Sequence, residues 1–350
     1  MNYCIPTAIP YKEKDPVKKL EYCLRVCYKS EDKFTPENAG KLIRNCIKRG
    51  HRSFLEHFRI MVACSDDIAY AVSSWQERRS AKFIDIVSQD TLILNNMLVG
   101  NLRAFLDCAE DNKMSYLGSV IYHMLIINFG DIFDDTSIVD EERFLEMFNE
   151  VEYLGEAGDY ITFHVETDRG VLAEWTRHRI LSPTVESTRY VKYEVNGVNI
   201  LYPMPFRWSP CPDSTQLSMW VIDVAEAMLN NGEHKFITPE GNFTHAGVTE
   251  IARLARLQAT WELACKVSEQ AYIQMREDDA TPQEARSVLP NSTKVEFYVS
   301  GTYEAWVKFI ALRNASDAQP QIKMLAERIY DWIKGDLADF TKAEYKEEEE

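Results

Sequence analysis

Several features that would place a protein in a membrane or on nucleic acid are missing from this sequence. No apolar run approaches the roughly 20 residues of a membrane-spanning helix, and the N-terminus lacks the charged-then-apolar pattern of a secretory signal. Positive charge is scarce, because 39 Lys and Arg residues stand against 55 Asp and Glu residues, for a net charge of -16. Binding to a phosphate polymer needs local positive charge. We therefore expect a soluble, cytoplasmic protein that binds neither a membrane nor a nucleic-acid polymer.

Closely paired cysteines are absent as well. The 8 cysteines are spread along the chain and none forms a Cys-x-x-Cys pair, which argues against a zinc knuckle or a thioredoxin-like motif. In a reducing cytoplasm we expect free thiols. Cys211, within Ser209-Pro210-Cys211-Pro212, is the one cysteine whose neighbours suggest exposure, and it is a candidate nucleophile against the simpler interpretation of an inert thiol.

His51, Glu56 and His57 raise the question of a metal site, because two histidines and a carboxylate can bind zinc. A helical zinc pair needs its histidines four positions apart, and these two are six apart, so they do not share a helix face. We predict no metal here.

The apolar pattern predicts an α/β chain of the α+β type. Hydrophobic residues make up 45% of the sequence, enough for a sizeable core. Helical spacing predicts helices over residues 15–28, 36–48, 171–178, 214–230 and 248–276; β-branched and aromatic runs predict strands over 58–64 and 160–166, with a turn at 168–170. The simplest organisation is a single domain over residues 1–340 and an acidic tail at 341–350.

One segment, from Arg177 to Tyr190, concentrates polar chemistry. It holds three arginines, one histidine and four hydroxyl residues besides the tyrosine. The arginine fork matches phosphate oxygens two at a time, and nearby hydroxyl groups can complete the coordination. The composition therefore favours a phosphate or carboxylate site, and a solvated basic loop is the alternative.

Arg177-His178-Arg179, followed after seven residues by Ser187, resembles the signature of the flavin-dependent thymidylate synthases. That family methylates dUMP with reduced flavin and methylenetetrahydrofolate. Further blocks resemble the family in its own order: residues 25–32, the His-x-Ser-x-x-Glu-His pattern of residues 51–57, residues 284–290 and residues 301–313. The resemblance implies the family's α/β fold, a mixed sheet with flanking helices.

The resemblance also implies roles for single residues. Arg313 matches the active-site arginine, whose charge would stabilise uracil ionised at nitrogen 3. The residues implied to bind dUMP are Glu174, Trp175, Thr176, Arg177, Glu186, Ser187, Thr188, Arg189, Arg286 and Arg313. Those implied to bind FAD are Ser53, Arg177, His178, Arg179, Val185, Thr302, Glu304 and Lys308.

NADPH as reductant, methylenetetrahydrofolate as carbon donor and a homotetramer with sites shared between subunits follow from the same resemblance. Shorter members of the family lack a stretch of about ninety residues that this chain carries at about 66–158. We expect this insertion to be largely helical, notably over residues 102–129, and to pack on the same domain.

The chain departs from the family in two places. Val185 replaces an acidic or amide residue, with Glu186 adjacent to carry the polar contact. In the last block Thr302, Glu304 and Lys308 stand where Asn, Arg and His or Asn are usual, so Glu304 reverses a charge near an anionic cofactor. Two alternatives to thymidylate synthesis therefore stay open: a variant that releases another product, such as hydroxymethyl-dUMP, and an inactive nucleotide-binding homologue.

Overall fold

The computed structural model describes residues 2–80, 83–88, 94–113, 115–134, 150–191, 193–202, 242 and 244–336. The strands are β1 (Asn2–Cys4), β2 (Thr7–Pro10), β3 (Arg59–Cys64), β4 (Ile84–Ser88), β5 (Asn96–Asn101), β6 (Val151–Glu156), β7 (Tyr160–Asp168), β8 (Ser182–Val185), β9 (Asn199–Leu201) and β10 (Lys294–Thr302). Cys211, the helix predicted over 214–230 and the tail at 341–350 lie outside the described residues.

The helices in the same ranges are α1 (Pro16–Arg25), α2 (Lys41–Lys48), α3 (Asp66–Arg79), α4 (Leu102–Asp111), α5 (Tyr116–Asn128), α6 (Arg169–Trp175), α7 (Tyr193–Asn196), α8 (His245–Glu277), α9 (Pro282–Ala285), α10 (Tyr303–Arg313) and α11 (Pro320–Asp336). Single 3₁₀ turns at Val26–Tyr28, Ser53–His57 and Arg286–Val288 connect them. None of the helices described is long and apolar enough to cross a membrane.

The strands form two antiparallel four-stranded sheets, β2-β7-β10-β8 and β4-β5-β3-β6, and a parallel pair, β1-β9. The predicted α/β class is confirmed. The predicted mixed sheet is divided instead, because the parallel pair is hydrogen-bonded separately from both antiparallel sheets.

Strand β10 is one of the two central strands of the first sheet and is buried on both faces. Phe297 and Val299 belong to the core that helices α6, α10 and α11 cover, whereas Tyr298 packs on the other face with Cys23 and Val26 of the first helical segment. Burial on both faces explains why Phe297, Tyr298 and Val299 are apolar in succession. Strand β10 also pairs with β8, and the loop after β8 contacts the 3₁₀ turn at Val26–Tyr28.

The insertion is less uniformly helical than expected. Residues 102–129 do form helices α4 and α5, but β4, β5 and β6 also come from the insertion and pair with β3 to make the second sheet. Its apolar residues, such as Phe105 and Ile121, share one core cluster with Leu20 and Ile43 of the N-terminal helices. The single domain over residues 1–340 stays a prediction.

Capping decides where several helices begin. Asp15 accepts a hydrogen bond from the Lys18 amide at 2.7 Å and Pro16 is the first helical residue, so α1 starts as predicted. Gly40, at φ 75°, delays α2 to Lys41, five residues after the predicted start. The predicted turn at 168–170 is wrong: the Asp168 side chain accepts from the Val171 amide at 2.7 Å, and a helix begins there instead.

Candidate functional site

A cavity of about 750 Å³ opens where the 3₁₀ turn at Ser53–His57, strand β8 and the turn after α9 meet. This volume falls within the range of roughly 300–1,000 Å³ that is usual for small-molecule sites. Its wall contains Leu24, Cys27, Tyr28, Gly50, His51, Arg52, Ser53, Phe54, Arg103, Arg169, Thr184, Val185, Glu186, Ser187, Thr188, Arg189, Tyr190, Gln283 and Arg286. Seven of the residues predicted from the sequence to bind ligand are among them.

The loop after β8 is held by backbone hydrogen bonds to two distant segments. The Glu186 amide donates to the Glu296 carbonyl at 2.8 Å, which continues the β8–β10 ladder, and the Ser187 amide donates to the Cys27 carbonyl at 3.3 Å. The Tyr190 amide donates to the Ser187 carbonyl at 3.0 Å and closes a turn. The Ser187 hydroxyl accepts from the Arg189 amide at 3.4 Å. Hydroxyl and guanidinium groups of one short turn therefore face the cavity from a fixed backbone.

A second segment brings Arg286 to this loop. Thr281 and Glu284 form a reciprocal capping box that fixes α9, and Arg286 follows directly. Its Nη1 donates to the Thr188 hydroxyl at 3.1 Å, across 98 residues of sequence. Within the described ranges, neither Arg286 nor Arg189 forms an ion pair with a carboxylate. Their charges are available to an anion in the cavity.

Glu186 is a buried carboxylate in the same wall, with 4% of its surface exposed. Burial raises its pKa, and the Lys29 ammonium, 3.6 Å away, is the main opposing influence. The Tyr193 hydroxyl donates to Oε1 at 3.3 Å and the Glu296 amide donates to Oε2 at 3.1 Å. Glu186 thus anchors the loop, and Val185 beside it presents an apolar side chain to the cavity.

His57 lies behind the cavity and joins two strands. Its Nδ1 is 2.7 Å from the Ser300 hydroxyl and its Nε2 is 2.8 Å from the Thr184 hydroxyl. Both ring nitrogens are therefore engaged by hydroxyl groups, which leaves no lone pair for a metal ion. His51 lines the cavity, whereas Glu56 pairs with Arg103, so the three candidate ligands do not converge. A metal-free site stays a prediction.

Acidification is expected to destabilise the protein through His57. Burial, with a smaller contribution from the Lys19 charge, lowers the pKa of His57 to about 3, against 6.5 for a free imidazole. Below pH ~6.5 the unfolded chain binds a proton that the folded chain does not, so the free energy of unfolding falls by up to about 1.4 kcal/mol per pH unit. Denaturant unfolding from about pH 7 to about pH 5 measures this slope. His57→Gln should flatten it, and an equal slope in both proteins would contradict the assignment.

A second group of predicted residues gathers at the ends of α6 and α10. Arg313 donates from Nη1 to Glu174 Oε2 at 2.9 Å, from Nη2 to the Glu174 carbonyl at 3.0 Å and from Nε to His178 Nε2 at 2.7 Å. His178 accepts this last bond and is therefore neutral. Burial, followed by the charge of Arg313, lowers the pKa of His178. Three hydrogen bonds to two neighbouring residues thus fix the orientation of the Arg313 guanidinium.

Trp175 lies in the hydrophobic core. Only 1% of it is exposed, and its ring stacks on Phe309 at 4.3 Å between ring centroids. Phe297 and Trp306 pack edge-on against the same ring. The contact with dUMP that the family resemblance implies for Trp175 stays a prediction. The neighbouring Thr176 is exposed and donates its hydroxyl to the Ala173 carbonyl at 3.0 Å.

The divergent residues of the last block stand at the start of α10. The Thr302 hydroxyl accepts from the Ala305 amide at 3.2 Å and caps the helix. Glu304 lies in the first turn, where the positive end of the helix dipole favours an acid, and both it and Lys308 are exposed. Arg177 and Arg179 are exposed as well, and Arg177 Nη1 lies 3.6 Å from Glu174 Oε2. None of these residues lines the cavity.

The predicted site residues of one chain thus fall into two groups. The cavity group is Ser53, Val185, Glu186, Ser187, Thr188, Arg189 and Arg286. The helix-end group is Glu174, Trp175, Thr176, Arg177, His178, Arg179, Thr302, Glu304, Lys308 and Arg313. Sequence reasoning missed Arg52, Arg103 and Arg169 in the cavity wall. Arg103 lies in the insertion, which matches no motif. Arg169 lies in the segment that was wrongly predicted to be a turn, and no motif includes it.

Fold and cavity together define an α+β protein with a cavity of about 750 Å³ whose wall includes Arg189 and Arg286 without carboxylate partners. A sequence profile of the family described as "Thymidylate synthase complementing protein" matches residues 159–336, just over half of the 350 residues. The chain belongs to this family.

Named relatives agree with the profile. The chain is similar to the flavin-dependent thymidylate synthase of Mycobacterium avium (strain 104), at 32% identity over 185 residues, which is 51% of this chain and 61% of the relative. It is also similar to the enzyme of that name from Mycolicibacterium gilvum (strain PYR-GCK), at 35% identity over 88 residues, 25% of this chain and 35% of the relative. The matches thus span about a third to three fifths of these curated relatives.

The chain is also similar to two solved structures. A UMP/dUMP methylase, PolB from Streptomyces cacaoi bound with 5-Br UMP, shares 15% identity over 95% of this chain and 92% of its own, with a TM-score of 0.37. Thymidylate synthase X from Helicobacter pylori with FAD and dUMP shares 20% identity over 69% of this chain and 90% of its own, with a TM-score of 0.33.

Proposed function

We propose that this protein is a flavin-dependent thymidylate synthase that converts dUMP to dTMP, with methylenetetrahydrofolate as carbon donor and NADPH as reductant through FAD. The observation that carries the proposal is the cavity in which the turn at residues 187–189 meets Arg286. A cytoplasmic location accords with these soluble substrates.

The cavity group would hold the nucleotide by its phosphate. Arg189 and Arg286 supply two guanidinium forks without carboxylate partners, and Ser187 and Thr188 supply hydroxyl groups between them. A phosphomonoester carries about -1.5 to -2 charges near neutral pH. Two cations on one dianion give charge balance, and the fixed turn means that little side-chain order has to be created on binding.

Arg313 would act on the base. A cation facing the pyrimidine lowers the free energy of the ring ionised at nitrogen 3 and so makes carbon 5 more nucleophilic. Glu174 and His178 orient the Arg313 fork, and the Glu174 carboxylate, 2.9 Å from Nη1, balances part of its charge. Only 12% of the Arg313 side chain is exposed, which strengthens its electrostatic effect.

The two groups need each other, and we propose that a second copy of the chain supplies the missing half. In one chain Arg313 does not line the cavity that holds Arg189 and Arg286. The exposed Arg177 and Arg179 at the end of α6 are available to a neighbouring subunit. A homotetramer with shared sites, as in the family, would bring a helix-end group to each cavity.

The residues present fit FAD in part. Arg177 and Arg179 are exposed cations suited to a diphosphate, and Ser53 offers a hydroxyl in the cavity wall. Glu304 opposes an anion and Thr302 is occupied as a helix cap. FAD, when bound, would supply the hydride that completes the methyl group.

The divergent residues at the start of α10, Glu304 above all, favour a second candidate function. If Glu304 weakens the reductive half of the reaction, water would add to the methylene group on carbon 5 in place of hydride, and the product would be hydroxymethyl-dUMP. Loss of cofactor binding altogether would leave a nucleotide-binding homologue without catalysis.

Product mass decides among these functions. Purified protein is incubated anaerobically with FAD, NADPH, methylenetetrahydrofolate and dUMP, and the nucleotide is weighed by mass spectrometry. We expect a methyl increment. A hydroxymethyl increment would instead identify the variant enzyme, and unchanged dUMP with no retained flavin would identify the binding-only homologue.

A further inference from the structure

Arg169 is a cation in the cavity wall that neither the motif nor the family resemblance assigns. It is the first residue of α6, directly after β7. Its amide donates to the Asn291 carbonyl at 2.9 Å and to the Thr293 carbonyl at 3.2 Å. The backbone at this junction is therefore held by the segment that precedes β10, and the side chain extends from it to the cavity.

The guanidinium of Arg169 has an unfilled edge. Its Nε and Nη2 atoms are both out of contact with solvent and have no hydrogen-bond partner. These two nitrogens form one side of the planar fork, the geometry that binds two oxygens of a phosphate or carboxylate. Buried donors without partners are costly and uncommon in native proteins. An unfilled fork in a cavity wall is therefore an indication of a missing acceptor.

Nearby acidic groups do not supply that acceptor. Glu186 lies close enough for the Arg169 charge to lower its pKa against the larger effect of burial. Arg169 nevertheless forms no ion pair with it, and Glu186 already has Lys29, Tyr193 and a backbone amide as partners. Glu186 therefore leaves the Nε and Nη2 edge of Arg169 unfilled.

The other two wall arginines that sequence reasoning missed behave differently. Arg52 Nη2 donates to Glu110 Oε1 at 2.9 Å, and its Nη1 lies 3.6 Å from Asp107. Arg103 pairs with Glu56 and lies 3.7 Å from Asp107. Their charges are compensated within the protein. In the described part of the wall, the arginines without a carboxylate partner are Arg169, Arg189 and Arg286.

We propose that Arg169 is a third phosphate-binding arginine, which joins Arg189 and Arg286 on the monophosphate of the uridine nucleotide. This inference rests on the proposed function, because it concerns the same cavity. The three non-bridging phosphate oxygens offer more acceptor positions than two forks can fill. Because the free edge is buried in the ligand-free protein, binding requires the Arg169 side chain to turn about its terminal bonds toward the cavity.

Binding measurements on the full-length protein test this role. Dissociation constants for dUMP, deoxyuridine and inorganic phosphate are measured at fixed ionic strength for the wild type, Arg169→Gln, Arg169→Lys and the control Arg78→Gln. Arg78 lies on α3 outside the cavity, where its Nη2 donates to Asn112 at 3.4 Å. We expect Arg169→Gln to weaken dUMP about tenfold or more, the loss of a charge-assisted bidentate contact. Deoxyuridine, which lacks the phosphate, should be unaffected.

Two further readouts separate ligand binding from a structural role. Arg169→Lys keeps the charge without the fork, so its dUMP affinity should fall between those of Arg169→Gln and the wild type. Removal of a buried, unpaired charge should leave the thermal stability of ligand-free Arg169→Gln unchanged or higher. Unchanged dUMP affinity, or equal losses for dUMP and deoxyuridine, would overturn the proposal.

The proposed function and this inference can fail separately. If the wild type binds dUMP or phosphate but forms no product, the function fails, and the inference is judged by the effect of Arg169→Gln on that binding. If the wild type binds neither, the inference is overturned. Arg169-dependent binding of methylenetetrahydrofolate with unchanged dUMP affinity would also overturn it and assign the fork to a carboxylate.

Discussion

Replacement of Arg313 by alanine is expected to lower kcat by about 100-fold to 1,000-fold, the usual effect of removing one preorganised donor from a site of developing negative charge. The side chain is largely buried and contributes three hydrogen bonds to Glu174 and His178. Alanine removes both the charge and the contacts that set its direction. Steady-state rates of dTMP formation measure the loss, and dUMP affinity should change much less because the phosphate contacts remain.

Arg313→Lys and Arg78→Ala serve as its controls. Lysine keeps a charge but cannot reproduce the fork, so we expect activity between those of the wild type and Arg313→Ala. Arg78 lies outside both residue groups, and its replacement should leave the rate unchanged. Full activity of Arg313→Ala would remove this residue from the mechanism.

If each site is shared between two subunits, two inactivating variants should complement each other. Arg189→Gln damages the cavity group, Arg313→Ala damages the helix-end group, and each variant alone should lose most of its activity. When the two are co-expressed and assemble together, some sites would combine an intact half from each chain. Recovery of part of the wild-type rate in the mixture supports the shared site, whereas no recovery in a mixed oligomer would place both halves in one subunit.

The second large effect concerns stability. Trp175→Ala is expected to lower the free energy of unfolding by about 3–5 kcal/mol, the range for a large aromatic residue removed from a packed core. Trp175 is almost fully buried and contacts three aromatic rings from β10 and α10. The indole Nε1 has no hydrogen-bond partner, so the contribution comes from packing. Urea unfolding followed at two wavelengths measures it.

Trp175→Phe separates packing from ligand contact. Phenylalanine is smaller than tryptophan but keeps an aromatic ring in this layer. Trp175→Phe should therefore lower the free energy of unfolding clearly less than Trp175→Ala does. If Trp175 acts only through the core, Trp175→Phe should retain dUMP affinity. Stable folding of Trp175→Ala together with a selective loss of dUMP binding would instead restore the contact implied by the family resemblance.

Much of the cavity group could be predicted from the sequence. Ser187 to Arg189 lie within one short segment, so their spacing alone places a fork and two hydroxyl groups together. Arg286 was found through its own block, and the structure brings it to Thr188. Motifs locate such residues because local chemistry requires particular side chains in a particular order.

Other features gave no local signal. Strand β5 contains Asn96 and Gly100, residue types that are uncommon in strands, and it continues directly into α4. The sequence therefore gave no clear strand signal between the helices of the insertion. Arg103 and Arg169 are ordinary arginines in sequence, one in a helix of the insertion and one at a strand-to-helix junction. Their place in the cavity wall depends on how three distant segments pack.

The sequence by itself determined the α+β class, the helices with clear caps and the segment that we propose to bind an anion. Each depends on interactions between residues close along the chain, such as the Asp15 cap of α1. Tertiary structure alone decided that Trp175 is core, that Glu186 is buried beside Lys29, and that Arg313 stands apart from the cavity of its own chain. Burial and electrostatic environment come from groups far apart in sequence, and no local pattern encodes which of them will meet.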